Sequence, residues 1–178
     1  RGVVSEENLE KLRKRKAQYL VGTPRSMLKQ FESSLVDKEW ESVYEDIEVK
    51  LVKNNEHKDE LFILCRSTQR KEKEKAILEF HKKRLEEELK KIQIAIRKGS
   101  LADSEKASKR IGRWLGRYTR AEKLFEIELI KDNEGKLKDL SIGYKKEMIE
   151  WAEKSSGKYI LRTNITEEDP KKLWKMYM

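Results

Sequence analysis

The clearest chemical pattern in this chain is a set of arginines spaced three, four and three residues apart: Arg110, Arg113, Arg117 and Arg120. In an α-helix, which turns 100° per residue, this spacing places the four side chains in one stripe. Guanidinium groups bind phosphate oxygens in a bidentate manner, and the release of counterions drives basic proteins onto DNA. A neighbouring stripe is apolar and contains Ile111, Trp114, Leu115 and Tyr118. The pattern predicts a DNA-binding helix whose basic edge borders its buried edge.

Two lysines extend the basic stripe, so the predicted DNA-binding residues are Lys106, Lys109, Arg110, Arg113, Arg117 and Arg120. Between residues 103 and 123 only three carboxylates oppose this charge: Asp103, Glu105 and Glu122. A second interpretation stays open, because runs of charge are often solvated faces. In it, the arginines pair with Glu79 and the cluster Glu86 to Glu88 on the preceding helix, and the hairpin binds nothing.

Two glycines interrupt the same predicted helix. Gly112 and Gly116 each cost about 1 kcal/mol relative to Ala in a helix interior. Close approach of another backbone is the simplest reason for retaining them. We therefore expect a second segment to pack against this side of the helix.

Composition favours an anionic partner and a helix-rich protein with a thin core. The 178 residues carry a net charge of +9, which favours nucleic acid over an acidic protein. Charged residues make up 42% of the chain and hydrophobic residues 37%, which still permits a folded protein. No apolar run reaches the roughly 18 residues of a membrane span. The single Cys65 allows no internal disulfide, which is typical of a cytoplasmic protein.

Other residues that could do chemistry are sparse. His57 falls in a predicted turn and His81 in a predicted helix, and neither has a second ligand at zinc spacing. Cys65, within "LFILC", is expected to be a small buried strand residue and not a nucleophile. The sequence contains neither a phosphate loop nor a nucleophile elbow. We assign no catalytic residue and no metal ligand.

The elements that position these residues follow from apolar periodicity and capping signals. A helix capped by Ser5 runs to about Gln18, a short strand covers 19–22, and another helix follows Pro24. Two strands, "IEVKLV" and "LFILC", then form a hairpin around "NNEHKDE".

A helical hairpin occupies the middle of the chain. Its first helix runs from Gln69 to Lys98 and ends at Gly99, and its second runs from about Asp103 to residue 123. A β-hairpin follows, formed by "LFEIELI" and "LKDLSIGY". The chain continues with a helix ended by Gly157, a strand "KYILRTN", and a helix that begins near Pro170.

Five blocks in a fixed order and spacing resemble the DDE transposases of bacterial and archaeal insertion sequences. They are "RGVVSEENLEKL", "YLVGTPRSML", "LFILCRSTQRKEKE", "RIGRWLGRYTRA" and "YILRTNITEEDPKKLWKMY". The most similar group has a ribonuclease-H-like core divided by a long insertion that contains β-strands. The resemblance implies an α+β fold: a partial ribonuclease-H-like α/β core with an inserted subdomain of β-hairpins and a long helical hairpin. Core segments would then occupy 1–39 and 145–178, and the insertion 40–144 with its helical hairpin at 69–123.

The resemblance implies a family that cuts and joins DNA strands with a divalent metal, normally Mg²⁺, held by three carboxylates. In the family the second catalytic Asp directly precedes the pair that is Arg1-Gly2 here, and the first lies further upstream. The catalytic Glu lies on the helix after "LRTN", beyond Met178. We therefore expect all three metal ligands outside this sequence and no cofactor in this segment, and whether it acts as an enzyme stays open.

The implied partner is double-stranded DNA at the transposon ends, in the cytoplasm, and the resemblance leaves a homo-oligomer open. Insertions at this place in related transposases contact transposon-end DNA or shape the hairpin intermediate, which supports the basic stripe. Four further residues match family blocks near the expected active site: Arg25, Arg162, Thr163 and Asn164. The alternative function is a non-enzymatic protein-interaction module in which the helical hairpin binds a partner through Trp114 and its neighbours.

Overall fold

The computed structural model describes residues 4–37, 39–54 and 57–178. Arg1 and Gly2, where the resemblance places the catalytic turn, lie outside the described residues. The fold is mixed α/β and forms two compact units. The sheet unit contains the described residues up to Lys73 together with 154–178, and the hairpin unit contains 74–153.

Seven strands and seven α-helices, with one 3₁₀ helix at Arg25–Phe31, make up the described chain. The strands are β1 (Leu20–Gly22), β2 (Glu41–Tyr44), β3 (Ile47–Lys53), β4 (Leu61–Ser67), β5 (Phe125–Lys131), β6 (Leu137–Tyr144) and β7 (Lys158–Thr163). The helices are α1 (Glu6–Lys14), α2 (Glu32–Val36), α3 (Thr68–Arg97), α4 (Ser104–Arg117), α5 (Thr119–Glu122), α6 (Lys146–Ser155) and α7 (Pro170–Tyr177).

The sheet unit is built on five strands in the spatial order β1-β7-β4-β3-β2, and every neighbouring pair is antiparallel. The predicted strands in this region are confirmed, whereas the four-residue edge strand β2 was not predicted. The hairpin that the sequence assigned to the insertion, β3 and β4, lies in one sheet with β1 and β7, which it assigned to the core. The boundaries 1–39, 40–144 and 145–178 therefore stay a prediction, since the compact units divide the chain elsewhere.

Both faces of this sheet are covered, which explains why β4 is apolar almost throughout. Ile63 and Cys65 face a cluster that includes Leu173 and Trp174 of α7. Phe62 alternates to the opposite face, where its ring lies 5.0 Å from the ring of Phe31 at the end of the 3₁₀ helix. Cys65 is fully buried, as predicted, and burial raises the pKa of its thiol to about 12.

Capping residues fix several helix ends as the sequence predicts. The hydroxyl of Ser5 accepts a hydrogen bond from the N–H of Asn8 at 3.3 Å, and Pro170 begins α7. Helix α1 ends at Lys14, before the predicted end at Gln18, because Lys16 adopts a φ of 53°. The helix predicted after Pro24 is a 3₁₀ helix followed by α2.

The hairpin unit packs the later turns of α3 with α4, α5, β5 and β6 around one apolar core. Gly99, with a φ of 73°, ends α3 as predicted. The predicted helix from 103 to 123 is divided at Tyr118, whose φ of −114° and ψ of 48° separate α4 from α5. Core residues of this unit are Leu85, Leu89, Ile92, Ile96, Leu101, Ala107, Ile111, Ala121, Leu124, Phe125, Leu137 and Leu140.

Candidate nucleic-acid interface

The rotation of α4 is set by its cap and its buried face. Asp103 caps the helix, accepting hydrogen bonds from the N–H groups of Glu105 at 2.8 Å and Lys106 at 3.0 Å. The bond from Lys106 is the main reason that the pKa of Asp103 lies below its ordinary value. Ala107 and Ile111 are buried in the core of the hairpin unit. Because Ala107 and Ile111 face inward, the basic residues on the other side of the helix face solvent.

All six predicted DNA-binding side chains are exposed: Lys106, Lys109, Arg110, Arg113, Arg117 and Arg120. Five of them lie on α4 and so share one helical stripe. Arg120 lies on α5, after the break at Tyr118, so its direction does not follow from the rotation of α4. The structure therefore confirms exposure of the whole set and a continuous stripe up to Arg117.

The four arginines of this set form no ion pair with a carboxylate among residues 4–37, 39–54 and 57–178. The lysine side of the stripe is different, because Lys109 contacts Glu105 at 2.6 Å with both side chains about three-quarters exposed. Such an exposed i,i+4 pair is worth only about 0.3 to 0.5 kcal/mol. The arginines are thus available to an external anion without breaking an internal ion pair.

The acidic cluster of α3 is paired within its own helix, so the interpretation as a salt-bridged helix pair is wrong. Glu86 contacts Lys90 at 2.7 Å, and Glu88 contacts Lys91 at 2.6 Å. Spacings of three or four residues bring these partners together on one helix face. The two remaining pairs follow the same rule: Glu79 with Lys82 at 3.9 Å, and Glu87 with Arg84 at 3.4 Å.

Aromatic rings line the edge of the basic stripe. Trp114 and Tyr118 stack with centroids 6.0 Å apart and an interplanar angle of 9°. The guanidinium of Arg117 lies 5.6 Å from the centre of the Trp114 ring, and His81 meets Tyr118 edge-on at 5.5 Å. Cation–π contact holds Arg117 without neutralising its charge. The ring of Trp114 thus contributes to the position of an exposed cation.

The expectation that a second segment packs against Gly112 and Gly116 is wrong. A Cβ atom built on either glycine would have no neighbouring atom within 4 Å, apart from the backbone of its own helix. Neither residue has a positive φ that would require glycine. The two glycines therefore leave an open strip of backbone beside the basic stripe.

The residues of the described chain do not fit a Mg²⁺ site. Among residues 4–37, 39–54 and 57–178, no three His, Cys, Asp or Glu side chains lie close enough to hold a metal ion. His57 has one acidic neighbour, since its Nε2 lies 3.4 Å from the carboxylate of Glu6. We therefore derive no metal-dependent step from this part of the chain.

The four residues that match family blocks near strand ends hold parts of the sheet unit together. Arg25 donates to the carbonyl of Ser155 at 3.0 Å. Thr163 donates its hydroxyl proton to the carbonyl of Tyr19 at 2.7 Å. The side-chain amide of Asn164 accepts from the N–H of Tyr19 at 2.8 Å and donates to the carbonyl of Ala17 at 2.9 Å. The bonds of Thr163 and Asn164 attach the end of β7 to the segment before β1, and the bond of Arg25 attaches the 3₁₀ helix to the end of α6.

Arg162, the fourth of these residues, lies in a partly buried ionic network that the sequence did not reveal. It contacts Glu60 at 2.6 Å and Glu6 at 2.7 Å, and its own side chain is 6% exposed. Arg13 contacts the same two carboxylates at 2.5 Å. The hydroxyl of Tyr19 also donates to Glu60. The members are far apart in sequence, so no local spacing signals the network.

Comparison with known proteins identifies no relative of this chain. No family model, no curated protein and no solved structure matches the chain. In the described part of the chain, no helix is long and apolar enough to cross a membrane.

Proposed function

We propose that this chain is a segment of an insertion-sequence DDE transposase and that the basic face of α4 and α5 binds the phosphate backbone of duplex DNA. The transposase assignment rests on the five ordered blocks of sequence. The DNA-binding assignment rests on one structural observation: four exposed arginines without a carboxylate partner among the described residues.

The dimensions of the basic face suit a duplex. From Lys106 to Arg117 the helix advances roughly 16 Å, at about 1.5 Å per residue. DNA carries about one negative charge per 1.7 Å of its axis, so this length faces several phosphates. Binding through phosphates gives affinity and position but does not by itself read sequence. Because Gly112 and Gly116 have no side chain, the sugar-phosphate backbone of DNA can come close to this side of the helix.

A charge-removal variant tests the DNA-binding assignment. Arg110, Arg113, Arg117 and Arg120 are all changed to Ala, and binding to a duplex of transposon-end length is titrated at several salt concentrations. We expect weaker binding and a log–log salt slope that is shallower by up to about 3.6, at about 0.9 per lost phosphate contact.

A matched control removes the same charge from the same unit. In this control Lys82, Arg84, Lys90 and Lys91 are changed to Ala; each contacts a carboxylate of α3 in the wild-type protein. We expect the control to keep most of the affinity and the salt slope. Equal losses in both variants would show that net charge, and not the α4–α5 face, governs binding.

The transposase assignment has a separate test in the coding DNA. The proposal requires an Asp codon directly before Arg1 and a Glu codon within a few helical turns after Met178. If both are present, the full-length protein should cleave transposon-end DNA only with Mg²⁺ or a similar divalent metal. If neither occurs in any frame, the segment is not part of an active transposase.

A protein-interaction module is the second candidate, and one observation favours it. Phe80 is 56% exposed and lies beside His81, at the end of the aromatic row that continues to Tyr118 and Trp114. Exposed aromatic side chains are common anchors of protein interfaces. A stoichiometric oligomer in light scattering that the change Phe80→Ser abolishes, with no DNA retention at low salt, would favour this module over DNA binding.

A further inference from the structure

Three cationic residues are neighbours at one end of the five-stranded sheet: Arg66, Lys71 and Lys158. Arg66 on β4 and Lys158 on β7 are direct partners across an antiparallel pair, so their side chains leave the same face. Like charges placed directly opposite one another destabilise a sheet. A pairing of this kind calls for an additional reason, and an anion between the two cations would supply one.

Gly157 brings the third cation into place. Its φ is 72°, and a Cβ there would lie 2.6 Å from both the Cβ of Lys71 and the carbonyl oxygen of Ser67. The carbonyl of Gly157 accepts from the N–H of Ser67 at 3.0 Å, and the hydroxyl of Ser156 donates to the carbonyl of Lys71 at 3.3 Å. These contacts hold the first turn of α3 against the start of β7. The backbone of Lys71 is therefore held beside Gly157, the residue directly before Lys158.

Few negative charges balance the three cations. Glu48 contacts Arg66 through two hydrogen bonds of 2.6 and 2.7 Å, which accounts for one positive charge. Lys158 donates to a neutral group, the carbonyl of Leu35, at 2.9 Å. Lys71 is exposed and has no carboxylate partner among the described residues. Asp46, the other carboxylate at this end of the sheet, accepts from the hydroxyl of Ser67 at 2.7 Å. Lys71 and Lys158 therefore carry two positive charges without a contacting carboxylate among the described residues.

The half-buried position of Lys158 makes this excess costly. Burial lowers the pKa of its ammonium group, and repulsion from Arg66 and then from Lys71 lowers it further. The bond from Lys158 to the carbonyl of Leu35 caps the end of α2, and this role alone accounts for a cation at position 158. It does not explain two further cations beside it.

We propose that Lys71, Lys158 and Arg66 form a binding site for a phosphate group. A phosphomonoester or free phosphate carries close to two negative charges at neutral pH, which matches the excess, whereas each phosphodiester of a nucleic-acid backbone carries one. Both accept hydrogen bonds from ammonium and guanidinium groups together. The site lies in the sheet unit and uses none of the α4–α5 residues, so it does not rest on the proposed function. The phosphate comes either from a nucleic-acid backbone or from a free phosphate compound.

The first experiment titrates the full chain with inorganic phosphate while the lysine amino groups are observed by NMR after isotopic methylation. We expect a saturable shift at Lys158 and an increase in its pKa. The change Lys71→Gln should weaken phosphate binding about tenfold, the scale of one charge-assisted hydrogen bond. Because the side chain of Lys71 is exposed, this variant keeps the fold.

Lys73→Gln is the matched control. Lys73 is also exposed, and it lies about 200° around α3 from Lys71. We expect unchanged phosphate affinity in this variant. No saturable shift at Lys158 in the wild-type protein, or equal loss of affinity in both variants, would overturn the proposal.

A second arm identifies the source of the phosphate. If it is a nucleic-acid backbone, Lys71→Gln should lower the salt slope of duplex binding by about 0.9, and Lys73→Gln should not. If the slope is unchanged while the phosphate titration behaves as expected, the site binds a free phosphate compound. Removing the four arginines of α4 and α5 should leave the phosphate titration unchanged, so each proposal can fail without the other.

Discussion

The two units use arginine in opposite ways. In the sheet unit, Arg13 and Arg162 contact the buried carboxylate of Glu60, and Arg162 is almost fully enclosed. In the hairpin unit, the arginines of α4 and α5 extend into solvent from a helix whose other side is apolar. An enclosed charge requires a partner because removal from water is costly, whereas an exposed charge does not. Arg13 and Arg162 thus hold parts of the sheet unit together, whereas the arginines of α4 and α5 give the hairpin unit exposed positive charge.

The largest expected effect breaks the network of the sheet unit. Glu60→Ala leaves Arg162 buried without one of its partners, and removal of one member of a buried ion pair costs about 3 to 5 kcal/mol. Urea unfolding of the purified chain measures this loss. Glu7→Ala is the control, because Glu7 and its partner Lys11 are largely exposed, and it should cost less than about 1 kcal/mol. Similar costs for the two changes would contradict the contrast between buried and exposed pairs.

The next effect tests the junction that holds Lys71 beside Lys158. Gly157→Ala combines a left-handed backbone with a clash against backbone atoms, so we expect a loss of about 3 kcal/mol in unfolding free energy. Gly135→Ala is the matched variant, since Gly135 also has a positive φ, 78°, but no atom within 4 Å. It should lose only about 1 to 2 kcal/mol, the cost of the backbone conformation. Equal losses would show that the close approach at Gly157 costs nothing.

A stabilising pair of changes probes the open side of α4. Gly112→Ala and Gly116→Ala introduce no contact within 4 Å, and each should stabilise the helix by about 1 kcal/mol. Thermal unfolding of the double variant should therefore show a higher Tm. If these glycines allow DNA to approach closely, the same variant should bind duplex DNA less tightly, so stability and affinity would move in opposite directions. A lower Tm would contradict the open surface seen in the structure.

The smallest expected effect depends on pH. Hydrogen bonds from Arg162 and then Arg13 lower the pKa of Glu6 to about 2, from an ordinary value of 4.5. Because the folded-state pKa is the lower one, the contribution of Glu6 to stability is complete above about pH 4.5 and is lost as the pH falls towards 2. Glu6 is half exposed, and solvent screening reduces this contribution to about 1 kcal/mol.

Urea unfolding of the wild type and of Glu6→Gln between pH 7 and pH 2 tests this dependence. The difference between the two proteins should be constant above pH 5 and shrink at lower pH. A difference that stays constant down to pH 2 would show that the Glu6 carboxylate is not stabilised by the two arginines.

Local signals in the sequence predicted most helices and strands. Several helix boundaries depend on one residue alone, through a hydrogen bond or an allowed φ. These residues are Ser5 and Pro170 at helix starts, and Gly99 and Gly157 after helix ends. The break at Tyr118 was missed, because the apolar periodicity continues across it and no Gly or Pro stands at that position. The edge strand β2 was missed for a related reason: its four residues are mostly exposed and carry no apolar alternation.

The candidate interface was predictable in part. The arginine spacing gave the exposed stripe on α4, since helical rotation alone determines which side chains share a face. Whether those arginines pair with the acids of α3 could not be decided from spacing, because Lys82, Arg84, Lys90 and Lys91 compete for the same carboxylates. Partner choice depends on which side chains come within about 4 Å, and that is a property of the folded chain.

The sequence by itself determined most of the helices and strands, the basic stripe and the burial of Cys65, because each follows from periodicity or from a single residue's chemistry. Only the tertiary structure decided which charges are enclosed. Glu6, Arg13, Glu60 and Arg162 meet because α1, the end of β7 and the residue before β4 come together at one end of the strands. Arg66, Lys71 and Lys158 are neighbours because an antiparallel register and the close approach at Gly157 bring their positions together. Most of these contacts join residues that are tens to more than a hundred positions apart in sequence. Local sequence patterns, which span only a few turns or a strand, do not predict such contacts.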